Sequence, residues 1–249
     1  MNRIVTVGWL SLFLGLSLPA VAEDSFPSAT PESVGMTSKG LEALAVSMRG
    51  LVDEGLRAGV VWGVVKDGKL VQLEAYGQRN VAAALPMETD TVFRLYSQTR
   101  AVTAAAILTL VDEGKIDLDD PVADYLPEIG EMPVIAELSR DRVIKTVPQN
   151  PPMTIRHLFN YTSGLGYARN WPAGVGMEQR DILSLDGDLG DMIQKFAQYP
   201  LLAQPGERWI YGFHSDVLGA LAEEVSGRKF NDFLDRRLLK RIGMDDTGF

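Results

Sequence analysis

Apolar positions along the chain fall into blocks with two different periods. From Thr37 to Leu56, the residues Leu41, Leu44, Ala45, Met48, Leu51 and Val52 recur at three- and four-residue spacing. That is the stripe of an amphipathic helix, and Thr37 or Ser38 can cap it. Gly59–Val65 and Lys69–Tyr76 read instead as strands. Lys66-Asp67-Gly68 joins them, and Asp-Gly is a strong hairpin turn signal. Two strands alone are marginal and need more strands or a covering helix. The sequence offers no other convincing strand pair downstream.

A short extended entry, Thr91–Leu95, leads to a helix beginning near Ser97. Ala101, Val102, Ala104, Ala105, Ile107, Leu108, Leu110 and Val111 leave almost no polar face before Asp112, which predicts a helix buried all round. Gly114 closes it. Ser97 then sits where unpaired N–H groups and the helix dipole favour developing negative charge. That position suits a serine nucleophile. It equally suits a helix cap, since Ser is a favoured N-cap residue.

Further on, Asp119-Asp120-Pro121 predicts a short helix toward Tyr125, ended by Leu126-Pro127. Residues 128–153 read as a long irregular loop. Thr154–Asn160 reads as a short helix capped by Thr154, and Tyr161-Thr162-Ser163-Gly164-Leu165 as a turn. Residues 166–187 are rich in glycine and proline and carry Tyr167 and Trp171, as a binding loop or a mere connection. Asp188–Ala197, Ser215–Val225 and Phe230–Leu239 read as helices.

Residues 1–22 read as a signal peptide and not as part of the fold. Arg3 supplies the positive start, Ile4–Leu18 the apolar run, and Ala20-Val21-Ala22 a small-x-small cleavage site. The apolar run is short for a membrane span. The remainder, residues 23–249, divides into a sheet region over 23–95 and a helical region over 96–249.

Composition narrows the chemistry. At 46% hydrophobic and 23% charged residues the chain is ordinary globular material. A net charge of −9 argues against nucleic-acid binding through a basic surface. The absence of cysteine excludes disulfides and thiolate metal sites. Only His157 and His214 can supply imidazole, which speaks against a multi-histidine metal site.

Six segments in order carry a resemblance. They are Phe93-Arg94 before Ser97, Asp112-Glu113-Gly114-Lys115 to Leu126-Pro127, Thr162-Ser163-Gly164-Leu165, and Pro205-Gly206-Glu207-Arg208-Trp209-Ile210-Tyr211. Asp216–Gly227 and Gly243-Met244-Asp245-Asp246-Thr247-Gly248-Phe249 complete them. Together, from about residue 25 to the end, they resemble the serine β-lactamase-like superfamily: class C β-lactamases, family VIII esterases and D-alanyl-D-alanine carboxypeptidases. The resemblance implies an α+β, β-lactamase/transpeptidase-like fold, with a helical domain beside an antiparallel sheet. It implies an acyl-serine hydrolase working without cofactor or metal on a small-molecule ester or amide.

The family's Ser-x-x-Lys motif places the nucleophile at Ser97 and the lysine at Arg100. A guanidinium has no lone pair to accept a proton, so Arg100 departs from the pattern in substance, though it keeps positive charge by an oxyanion. The second motif maps onto Tyr211-Gly212-Phe213. Tyr211 serves as base if a nearby cation favours its phenolate, and otherwise is a structural tyrosine. Phe213 stands at the polar third position, which favours an ester over a β-lactam; Phe213 and Tyr161 are the expected substrate contacts. His214 lies one step off the motif and reads as structural. The family's third motif, on a late strand that supplies an oxyanion donor, has no counterpart before Phe249. The resemblance therefore implies a truncated chain, with self-association through unpaired strand edges and, in the alternative to hydrolysis, a catalytically impaired or inactive relative that only binds ligand or peptidoglycan-like peptide.

Export with cleavage after Ala22 is expected, giving a mature chain that starts Glu23-Asp24-Ser25. Mass spectrometry of the exported protein checks this; retention of Met1 or Asn2 contradicts it.

Overall fold

The Asp67-Gly68 turn forms as its chemistry requires. Both residues lie at positive φ, 51° and 70°, the pair of left-handed conformations that matches a two-residue turn to twisted strands. It joins β1 (Gly59–Lys66) to β2 (Lys69–Asn80) in an antiparallel pair, with Val61 opposite Ala75 and Lys66 opposite Lys69. The computed structural model describes residues 26–140, 142–172, 175 and 187–249. The expected signal peptide and part of the glycine-rich connection lie outside them. The chain divides into two compact units, the first ending at Phe93 and the second running Arg94–Phe249.

In the first unit the sheet is larger than the hairpin expected. A two-residue strand, β3 (Leu85–Pro86), pairs with the end of β2. Near the start of β2, the arm at Ser28 makes a parallel bridge to Leu70. Both additions are too short to leave a periodic signal in the sequence. Helix α1 (Ser38–Asp53) packs on β1 and β2. Its cap is Thr37, whose hydroxyl accepts from the Gly40 N–H at 3.1 Å. Leu41 and Ala45 are buried, and Trp62 of β1 is the buried aromatic of this unit.

In the second unit a turn of 3-10 helix, Tyr96–Gln98, feeds α2 (Thr99–Asp112). Helix α2 is not buried all round. Thr103, Ala106, Ile107 and Leu110 are buried, while Ala101, Ala105 and Leu108 are exposed. An all-apolar composition does not say which stripe faces the core, and here one does. Residues 128–153 are also not a loop. Pro127 opens a single-turn helix, α3 (Pro127–Gly130), so the proline-at-N1 rule applies at Pro127, and Val122–Asp124 is only a 3-10 turn. A second hairpin follows, β4 (Val134–Ser139) with β5 (Arg142–Val147). The prolines that suggested a loop, Pro133, Pro148 and Pro151, flank these strands and do not interrupt them. Leu201 bridges to Val134, with Ile135 N–H donating to the Leu201 carbonyl at 2.9 Å.

Helix α4 (Ile155–Phe159) starts at Thr154 and α5 (Leu189–Phe196) at Asp188, whose carboxylate accepts from the Asp191 N–H. The hub of the unit is α6 (His214–Ser226), which packs on α2, α4, α5 and α7 (Phe230–Arg237). Its Val217, Leu218, Ala220, Leu221 and Ala222 are all buried. Gly227 ends it in the left-handed conformation, φ 65°. Among the described residues no helix is long and apolar enough to cross a membrane.

The one-sided burial of α2 is testable. Leu110, fully buried, is expected to cost ~2–5 kcal/mol as Leu110→Ala. Leu108→Ala, at a residue 40% exposed, is expected to cost about 1 kcal/mol or less. Urea unfolding of both variants decides it; equal large losses contradict the arrangement.

Candidate active site

Ser97 sits in the 3-10 turn ahead of α2, exposed, with Arg100 one turn on. Residues three apart on consecutive helical turns share one face. Both side chains accordingly line one cavity of about 360 Å³. Phe213, Ser215 and Asp216, from the start of α6, and Tyr167 share its wall. Tyr96 holds φ 47°, a left-handed conformation uncommon for a bulky residue, and Tyr161 does the same at 63°. Such positions cost on the order of 1–3 kcal/mol each and persist where surrounding structure enforces them.

At Tyr161 the surrounding structure includes Arg100. Its Nη1 donates to the Tyr161 hydroxyl at 2.9 Å, the Gly212 carbonyl at 3.0 Å and Ser215 Oγ at 3.4 Å. Its Nη2 donates to the Tyr167 hydroxyl. The guanidinium carbon lies 4.5 Å from the centre of the Tyr211 ring, a cation–π contact. Burial opposes the charge, but the Tyr161 hydrogen bond and the electrostatics of Tyr161, Tyr167 and Tyr211 outweigh it and hold the guanidinium above its usual pKa. Arg100 is a fixed cation.

Gly212 is what lets the chain close on Arg100. A Cβ there would lie 2.5 Å from Gly166 Cα, so only glycine allows the segment before α6 to lie against the 163–166 turn. That approach puts the Gly212 carbonyl on the guanidinium. Phe213 turns inward, 1% exposed, edge-on to Tyr167 at 4.8 Å and Phe196 at 5.2 Å. It presents an apolar wall with no hydrogen-bonding atom.

Ser97, Arg100 and Phe213 thus share one cavity. Tyr161 and Tyr211 reach it through Arg100, and Tyr211 lines a different cavity. Sequence reasoning missed Tyr167, Ser215 and Asp216. Tyr167 lay in a stretch whose binding role was left open. Asp216 is held above its ordinary carboxyl pKa by burial, partly offset by Arg100. It lies five residues beyond Tyr211, outside the second motif, and that spacing gave no motif to read. Trp171, by contrast, is core: it is 6% exposed and its Nε1 donates to the Pro200 carbonyl at 2.7 Å. Among the described residues no group of histidines and carboxylates converges as a metal site.

His214 is fully buried against Tyr161, ring centres 4.5 Å apart, and neither ring nitrogen has a hydrogen-bond partner among the described residues. Burial pushes its pKa down to about 4, with the Arg100 charge acting the same way.

The model of the Beta-lactamase family matches residues 45–249, and the chain belongs to that family. Esterase EstB of Burkholderia gladioli is 34% identical over 230 residues, which cover 88% of this chain and 56% of the esterase. Among solved structures, EstCE1, a hydrolase with promiscuous acyltransferase activity, superposes with a TM-score of 0.68 at 29% identity, over 83% of this chain and 53% of its own. Unliganded simvastatin synthase (LovD) from Aspergillus terreus gives 0.66 at 26% identity, over 83% and 54%. The fold is therefore β-lactamase/transpeptidase-like, with helices and antiparallel sheets. The chain spans about half the length of the curated relatives it matches.

The buried imidazole makes stability depend on pH. The folded ring titrates at about 4 and the unfolded one near 6.5, so between these values only the unfolded chain takes the proton. The contribution is intact above 6.5 and is lost as pH falls to about 4, a difference worth about 3 kcal/mol. His157, also lowered by burial, acts in the same direction. Urea titrations across this window are expected to show a shallower loss for His214→Gln than for the unsubstituted chain.

Proposed function

We propose that this chain is an exported acyl-serine hydrolase that acts on short esters in preference to β-lactams, with Ser97 taking the acyl group. The observation that carries the reading is the shared cavity: an exposed serine in the turn that leads into α2, a fixed cation one turn on, and an apolar wall at Phe213. Esterase and acyltransferase relatives support the reaction class. Phe213 supports the substrate class, because its ring offers no hydrogen bond to a substrate amide, and an ester requires none there.

In the reaction, Ser97 Oγ gives up its proton and attacks the ester carbonyl carbon, the bond from that carbon to the alkoxy oxygen breaks, and the alcohol leaves with the proton; water then attacks the acyl carbon, the Oγ–C bond breaks, and the carboxylic acid leaves as Ser97 Oγ regains a proton. The N-terminus of α2 and the Arg100 charge both stabilise negative charge developing beside Ser97. Arg100 cannot receive the Ser97 proton, because it has no lone pair and its charge is locked in place. The proton acceptor in this reading is Tyr211, whose ring carries the Arg100 cation on its face. A second reading is a slow or impaired relative. It is favoured by the commitment of Arg100 donors to Tyr161, Tyr167 and Gly212.

A fluorophosphonate is expected to label Ser97, and Ser97→Ala to abolish labelling; label on Ser163 or Ser215 contradicts the assignment. Turnover of p-nitrophenyl acetate by the chain is expected to be slow, since a positioned acid–base group contributes ~10²–10⁴-fold. Arg100→Lys is expected to raise it, because an ammonium can shed its proton when buried and a guanidinium cannot. If Arg100→Lys adds nothing while Tyr211→Phe removes activity, the arginine is no defect and Tyr211 alone carries the proton.

A further inference from the structure

Tyr211, which packs on Arg100, also lines a second cavity of about 340 Å³. Its wall holds two guanidinium groups, Arg169 and Arg208, the indole of Trp209, and Tyr211 itself. Among the described residues no carboxylate lines it, in a chain whose net charge is −9. Neither arginine makes an ion pair among the described residues.

Both guanidiniums are nevertheless positioned. Arg208 Nη2 donates to the Leu202 carbonyl at 3.0 Å, which spends one of five donors and leaves the rest of the fork unused. The Arg169 guanidinium lies 5.1 Å from the Tyr167 ring centre. Trp209 is 64% exposed, yet its ring is held, stacked on Tyr211 at 5.9 Å with 26° between the planes. Planar forks match carboxylate geometry, and an exposed indole offers a face for a flat apolar group.

We propose that this cavity binds a small planar organic carboxylate, its anion between Arg169 and Arg208 and its flat body on Trp209. The cavity does not include Ser97, so binding stands or falls independently of acyl transfer there.

Benzoate is the probe, titrated into the full chain by calorimetry, with Trp209 fluorescence as a second readout. Saturable binding is expected, weakened by added salt and by roughly tenfold or more in Arg169→Gln and in Arg208→Gln, since each removes a charge-assisted contact. Arg208→Lys is expected to restore part of it. Trp209→Phe is expected to remove the fluorescence change, and Ser97→Ala to leave binding intact. Equal binding of neutral benzamide, survival of binding in both glutamine variants, loss in Ser97→Ala, or no saturable heat with benzoate each overturns the proposal. Unchanged thermal melts of the variants separate a lost site from a lost fold.

Discussion

One partly buried guanidinium organises the candidate site. Arg100 comes from α2, Tyr161 and Tyr167 from the turn region after α4, and Gly212 and Ser215 from the entry to α6. A charge removed from water must find hydrogen-bond acceptors or the fold does not tolerate it. Here the acceptors come from two segments remote in sequence from α2 and from each other, so satisfying one cation fixes all three segments together. Hydrogen bonds to an ionised donor are roughly twice as strong as neutral ones, and the aromatic face of Tyr211 adds to them. Left-handed Tyr161 is tolerable in that setting, because its hydroxyl is held by Arg100 and by Ser215 Oγ at 3.1 Å.

The same constraint shapes the backbone. Gly164, at φ 87°, and Gly212 let two segments lie closer than side chains permit. Gly206 N–H donates to the Thr162 carbonyl and Ile210 N–H to the Tyr161 carbonyl, at 2.8 and 2.9 Å, which ties the segment before α6 along the turn. His214 is the consequence on the inner side. Drawn in by Gly212 and packed on Tyr161, it is kept neutral by burial and by the nearby cation.

For function, the arrangement separates two properties that a lysine at this position would combine. A lysine supplies both positive charge and, once deprotonated, a base. Arg100 supplies only the charge and adds rigidity. In the proposed reaction proton transfer therefore falls to another group, and Tyr211 is the one proposed. Asp216 adds a carboxyl on the Ser97 cavity wall that burial holds above its ordinary pKa.

Local chemistry alone determined much of this protein. Asp67-Gly68 fixed a turn, Thr37, Thr154 and Asp188 fixed helix starts, and Gly114 and Gly227 fixed helix ends, because each depends on a conformation or hydrogen bond within a few residues. The ordered motifs located the family and brought Ser97 and Arg100 together, since three residues apart on a helical turn is a local distance. The hairpin of β4 and β5 was misread because its flanking prolines dominate composition, whereas strand pairing is a contact between segments. Tertiary structure alone decided which face of α2 is covered, that α6 is the hub, and that Tyr167 and Asp216 belong at the site. A side chain's surroundings come from elements remote in sequence, and no spacing along the chain records them.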